Sequence, residues 1–278
     1  MKKILLVSSS EGYEAARMLC ARINAAGFDA YVQPQGNRTA PAVDPDELAL
    51  VIPMGGDGTF LGAARLIGFK PIPILGFNHG TLVFLCGSPS RDELELVGEC
   101  LAGALPIERR GTLDAVITDG EVNEHAVTAL NEIAYTRGVS GHVVKYRYAV
   151  NGTPIASLDA DGLVVSTATG STAYSLSAGG PIVSPGYHGL VIVPIAPHTL
   201  TARAMVTAPS DVIEVQLVGR SVHDASIFVD GNALDISSPS RIEIRRGENE
   251  VLFANGGLNF FANVSKTFFG GFEGSFDD

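Results

Sequence analysis

The chain has no tryptophan, and its three cysteines, Cys20, Cys86 and Cys100, are an odd number with no CxxC pair. That usage argues against a disulfide framework and a zinc knuckle, and the thiols read as buried apolar side chains. Neither GxxxxGK[ST] nor GxGxxG occurs, so the two common nucleotide signatures are missing. HExxH and GxSxG are missing too, which speaks against zinc peptidase and serine hydrolase chemistry. No stretch approaches the roughly 18 apolar residues of a membrane span. Basic residues are scarce: 19 Lys and Arg face 30 Asp and Glu, for a net charge of -11. Nucleic acid and anionic membranes are therefore not expected partners, because both are held chiefly by cations at phosphates.

What is present is globular in character, with 46% hydrophobic and 18% charged residues over 278 positions. That length favours two domains over one. The basic start followed by apolar residues 4–7 is too short for a signal-peptide core and reads as a first strand, so the expected location is the cytoplasm.

Through the first hundred residues buried-strand runs (4–7, 28–32, 48–53, 72–77) alternate with helical spacing (11–26, 59–67, 92–101). This alternation predicts an α/β domain with a parallel, doubly wound sheet over residues 1–103. Beyond it, short apolar runs separated by turns predict a β-rich, sandwich-like domain over residues 104–262, with one helical interruption near 172–178. Residues 263–278 form an aromatic, Gly-rich tail that packs back on the N-terminal domain or frays.

Three segments could carry chemistry. Gly55-Gly56-Asp57-Gly58-Thr59 joins a strand to a helix, where glycines let a phosphate approach free backbone amides. Asp57 would lie beside that anion as proton acceptor or metal ligand, or would simply cap the helix. Asn131-Glu132 sets a polar pair inside an apolar run, where a carboxylate needs partners, either ligand hydroxyls or internal donors. Asp159-Ala160-Asp161-Gly162 leads into a strand followed by small hydroxyl residues from Thr169 to Gly180, a run without bulk that suits a nucleotide lying along the backbone. The six histidines show no paired ligand spacing, and no dedicated metal site is predicted.

Together, GGDGT at 55–59, Asn131-Glu132, Asp161-Gly162 and TGSTAYSLSAGGPI at 169–182 resemble the bacterial NAD kinases in order and approximate separation. Asn78-His79-Gly80-Thr81-Leu82 followed by Phe84-Leu85, Pro194-Ile195-Ala196-Pro197-His198-Thr199-Leu200 and Asp230-Gly231 extend the likeness over most of the chain. GGDGT alone would fit lipid kinases; the 169–182 run makes the resemblance specific. It implies transfer of a phosphoryl group from ATP or polyphosphate to the adenosine-ribose 2'-hydroxyl of NAD, giving NADP, with Mg²⁺ or another divalent cation carried by the donor. It also implies a homodimer or homotetramer. In roles, Asp57 resembles the proton acceptor, and Gly55, Gly56, Gly58 and Thr59 the phosphate loop. The dinucleotide contacts would be Asp57, Gly58, Asn131, Glu132, Asp159, Asp161, Thr172, Ala173, Tyr174, Ser175, Leu176, Ser177 and Asn232. Asn78, His142 and His223 are further candidates. Gly62, Val83, Asp159, Ala168 and Asn232 depart from the family's usual residues, which bears on substrate preference more than on the reaction.

Overall fold

The computed structural model describes residues 3–36, 40–78, 84–87, 91–138, 141–219 and 221–270. His79, Gly80, Thr81, Leu82 and Val83 lie outside the described residues, as do residues 271–278 of the tail. The chain divides into two compact units, one of residues 1–109 with 251–278 and one of residues 110–250.

The first unit opens with β1 (Lys3–Ser8), α1 (Tyr13–Ala25), β2 (Asp29–Pro34), β3 (Leu48–Met54), α2 (Asp57–Leu66), β4 (Pro73–Ile74) and α3 (Glu93–Leu101). β1 runs parallel between β2 and β3, and β3 continues in parallel to β4. Side chains alternate across a strand, so Ile4 and Leu6 of β1 and Leu50, Ile52 and Met54 of β3 share one face. There they pack with Ala16, Leu19 and Ile23 of α1 and Leu96 and Val97 of α3. Leu5, Val7 and Val51 are buried as well, which is why these strands read as unbroken apolar runs. Asp92 starts α3 by accepting the Leu94 and Glu95 amides. The run 72–77 is strand only at β4, with Phe77 adding single bridges to Met54 and Gly87.

The second unit contains β5 (Ile107–Thr118), whose first residues belong to the first unit, then β6 (Glu124–Ala129), β7 (Glu132–Arg137), β8 (Val144–Val150), β9 (Thr153–Ala160) and β10 (Gly162–Ser166). A four-residue helix α4 (Tyr174–Ser177), β11 (Val191–Ile195), β12 (Met205–Val206), β13 (Val212–Leu217), a four-residue helix α5 (Ser221–Asp224), β14 (Ala225–Val229), β15 (Asn232–Ala233) and β16 (Arg241–Ala254) complete the order. β16, β13, β8 and β9 are joined in antiparallel fashion, with β5 pairing β16 and β6. A second antiparallel sheet runs β12-β11-β10-β7-β14-β15. Leu113, Tyr146, Ile213 and Ile244 of the first set pack with Ile133, Leu163, Val165, Ile192 and Ile227 of the second in one core, as in a sandwich. On the other face of the second sheet Ala134, Val164, Val191 and Val193 are covered by residues that include Ala178 and Val183. β10 is thus buried on both sides, which accounts for its continuous apolar sequence.

The apolar run expected over 126–135 is interrupted at Leu130 and Asn131, and the single helical interruption expected near 172–178 is a 3₁₀ turn at Thr169–Thr172 followed by α4. The unit boundaries also differ from 103/104 and 262/263. The last residues of β16 pair in parallel with β4, Leu252 with Pro73 and Phe253 with Ile74, so residues 251–262 lie with the first unit. α6 (Phe260–Phe268) follows in that unit. No described helix is long and apolar enough to cross a membrane.

Candidate active site

In the first unit the chain leaves β3 through Gly55 and Gly56 and enters α2 at Asp57. Gly55 donates its N–H to the Phe77 carbonyl at 3.0 Å, and a Cβ on it would run into the Thr59 hydroxyl. That close approach explains its glycine. Gly56 and Gly58 differ: neither has a positive φ and a Cβ on either would meet nothing within 4 Å. Neither conformation nor packing within the described chain requires glycine there. Open space beside the first amides of a helix is what an incoming anion needs.

Asp57 is not the helix cap. Gly56 occupies the N-cap position, and the Asp57 carboxylate turns away to accept the Phe84 N–H at 2.9 and 3.1 Å and the Leu85 N–H at 2.9 Å. Burial holds this carboxyl above the usual carboxylate range, against the amides of Phe84, Leu85 and Cys86, which pull it down. A carboxyl so poised, beside the start of a helix, is suited to accept a proton. Thr59 is buried at 4% exposure with its N–H on the Gly56 carbonyl, while Gly62 leaves room for Gln35, whose amide donates to the Gly58 carbonyl at 3.0 Å. Asn78 is half-buried and donates its N–H to the Gly87 carbonyl.

The second unit gathers a different set. The Asp230 carboxylate accepts the amides of Leu130, Asn131 and Glu132 at 3.1, 2.7 and 3.3 Å, and its own N–H returns to the Glu132 carbonyl at 3.0 Å. Thr167 braces the other side: its hydroxyl donates to the Leu130 carbonyl at 2.6 Å and its N–H to the Asn131 carbonyl at 2.9 Å. Gly170 lies so close to the Asn131 backbone that any Cβ would collide with it. The backbone at 130–132 is therefore gripped on two sides, yet Asn131 Oδ1 and Glu132 Oε2 are buried and have no hydrogen-bond partner among the described residues. Ser166 Oγ and Ser175 Oγ are in the same position. Unpaired buried acceptors are costly, so their retention points to donors from outside the chain.

Glu132 is pushed up to about 7, first by burial and then by the neighbouring Asp230 charge, with the Tyr174 amide opposing both. Because the folded protein keeps this proton while the unfolded chain loses it near the ordinary Glu value, stability falls as pH rises from about 4.5 to about 7, by roughly 3 kcal/mol. Glu132→Gln is expected to flatten that decline, seen as a smaller loss of denaturation midpoint between pH 5 and 8. Equal slopes for both proteins would refute it.

Tyr174 is raised by burial and by the charges of Asp161 and Glu132, which places its ring near both. Around it Thr172, Ala173 and Leu176 are half-buried and Ser177 is exposed. Asp161 pairs with Arg137 at 3.2 Å, and Asn232 turns its amide onto the Asp230 carbonyl at 2.8 Å. Asp159 is exposed and pairs with Lys145 at 3.5 Å. His142 is exposed, and His223 is exposed with Nδ1 2.9 Å from Ser238 Oγ; neither is drawn into the buried cluster. Among the described residues no group of three or more His, Cys, Asp and Glu side chains forms a metal site.

The sequence marks Phe84-Leu85 only as part of the family likeness, and it shows neither that their amides hold Asp57 nor the grip of Asp230 and Thr167. An Asp-Gly pair at a turn was the one visible signal for the second.

The ATP-NAD kinase N-terminal domain family matches residues 5–102 and the ATP-NAD kinase C-terminal domain family matches residues 130–256. The chain belongs to the NAD kinase family. It is 34% identical over 261 residues to the NAD kinase of Bordetella parapertussis, covering 89% of this chain and 87% of that one. With the NAD kinase of Ralstonia nicotianae it shares 38% over 237 residues, 83% of this chain and 78% of the relative. In fold it is similar to the yeast NADH kinase complexed with NADH, at a TM-score of 0.85, 22% identity, and coverage of 99% of this chain and 89% of that one. An NAD kinase from Archaeoglobus fulgidus in complex with ATP gives a TM-score of 0.76 at 22% identity, covering 94% and 98%. As an NAD kinase, the chain is an enzyme of the phosphotransferase class.

Proposed function

We propose that this NAD kinase moves the terminal phosphoryl group of ATP, or of a donor such as polyphosphate, onto the adenosine-ribose 2'-hydroxyl of NAD or NADH. Asp57 takes the hydroxyl proton as the oxygen attacks phosphorus, and the amides at the start of α2, opened by Gly56 and Gly58, meet charge on the transferred group. A divalent cation arriving with the donor supplies further charge neutralisation at the phosphates. Asn131, Glu132 and the Thr172 to Ser177 segment hold the dinucleotide.

The observation that carries this reading is the pair of buried, unpaired acceptors, Asn131 Oδ1 and Glu132 Oε2, on a backbone held by Asp230 and Thr167. A dinucleotide has hydroxyl and amine donors to offer such acceptors; a lipid alcohol would bring mostly apolar surface. The reading extends to a homodimer or homotetramer in the cytoplasm.

The test is formation of NADP or NADPH from NAD or NADH with ATP or polyphosphate, with and without Mg²⁺. No turnover with any combination would end the proposal. A binding prediction accompanies it. Asn131→Ala removes an oxygen that pairs with nothing among the described residues, so NAD affinity should fall about 10-fold or more with less than about 1 kcal/mol of lost stability. Unchanged affinity with a marked fall in melting temperature would assign Asn131 to internal structure instead.

A further inference from the structure

The amides that hold Asp57 belong to Phe84 and Leu85, and Phe84 is itself held by aromatic rings. Its side chain is 8% exposed and stacks on Phe268 with ring centroids 6.0 Å apart and planes at 10°. It also meets Phe260 at 6.3 Å and 57°. Both partners lie on α6, which is capped by Asn259, whose side chain accepts the Ala262 N–H at 3.0 Å, and which buries Val264. Phe261 on the same helix and Phe269 just past its end are 65% and 76% exposed, and the aromatic contacts with Phe84 come from Phe260 and Phe268.

We propose that α6 positions the catalytic carboxylate: Phe260 and Phe268 clamp Phe84, and the Phe84 and Leu85 amides then hold Asp57 in the orientation that takes the proton. The inference rests on Asp57 being the proton acceptor. The connection is short, because the clamped ring and the first donating N–H are parts of one residue. An aromatic stack contributes only about 0.5 to 1.5 kcal/mol beyond its buried area, small against the fold. Its weight lies in placement, since a shift of about 1 Å at a reacting group lowers the rate by about 10²-fold. Among the described residues, the titratable group acting with Asp57 is Cys86. Burial and the Asp57 charge push its thiol far up, so it stays neutral over the working pH range. The polar neighbours that the carboxyl would register losing are therefore the amides.

Phe268→Ala, Phe268→Tyr and Phe269→Ala in the full chain, with Asp57→Asn alongside, test this. Phe268→Ala is expected to lower kcat about 10-fold with KM for NAD within about twofold of wild type. Its kcat profile should lose activity at a pH about half to one unit higher on the acid side, because weaker amide donation leaves the carboxyl harder to ionise. Amide hydrogen exchange over residues 84–87 should quicken. Phe268→Tyr keeps the stack and should restore all three readouts, and Phe269→Ala should match wild type. A fall in kcat with no movement of the profile or of exchange would mean general destabilisation and would overturn the proposal, as would an unchanged Phe268→Ala. If Asp57→Asn is inactive in that case, the role of α6 fails alone; if Asp57→Asn turns over normally, the Asp57 reading fails and takes this one with it.

Discussion

Asp57→Asn is expected to lower turnover by about 10²- to 10⁴-fold, roughly 3 to 5 kcal/mol of barrier, with NAD affinity close to wild type. The side chain keeps its size and one oxygen, which in the place of Oδ1 still accepts the Leu85 N–H and the longer of the two Phe84 bonds. Its nitrogen then takes the place of Oδ2 and faces the Phe84 N–H, donor against donor, which should cost about 1 kcal/mol of stability. Helix capping does not enter, because Gly56 holds the cap position. The wild-type acid limb adds a check. The carboxyl sits above its ordinary range, so activity should fail as pH drops through that raised value, earlier than for an exposed aspartate. A requirement for more Mg²⁺ in the variant would instead give Asp57 a role at the cation. Near-wild-type turnover of the pure Asn variant would remove Asp57 from the mechanism.

Asp230→Ala should produce the largest loss of stability, about 3 kcal/mol or more, together with weakened NAD binding. Three buried amides, those of Leu130, Asn131 and Glu132, lose their acceptor at once, and each unsatisfied donor costs about 1 to 3 kcal/mol. One effect opposes this. Removing the Asp230 charge lets Glu132 ionise more easily, which reduces the stability lost on raising the pH towards 7. The destabilisation should therefore be larger at pH 5 than at pH 8, and denaturant unfolding at both values measures it. Asp230→Asn, with one acceptor left, should fall between. A variant within about 0.5 kcal/mol of wild type at both pH values would show that the carboxylate does not hold the 130–132 backbone.

Much of the architecture was legible because periodicity reports burial. Residues 4–7 and 48–53 read as strands covered on both faces, and β1 and β3 are buried on both. The spacing at 59–67 marked a helix, and the structure starts it at Asp57, since Asp57 and Gly58 already belong to it while Gly56 is still extended. The run 126–135 misled, because apolar content cannot show that a chain leaves one sheet at Ala129 and enters another at Glu132. The division of the chain was equally hidden: the sequence shows two short apolar runs at 241–244 and 251–253, whereas the structure joins them in one strand whose end pairs with β4.

By itself the sequence determined the elements, the family resemblance and the residue types available for phosphoryl transfer, since each of these is carried by neighbours in the chain or by local spacing. Tertiary structure decided what those residues can do. Whether Asp57 caps a helix or stands as a raised carboxyl depended on amides 27 and 28 residues away, and whether the backbone amides of Asn131 and Glu132 are satisfied depended on Asp230, about a hundred positions on. Local propensity carries no information about such partners. A buried polar group is defined by what surrounds it, and its surroundings come from segments brought together only when the chain has folded.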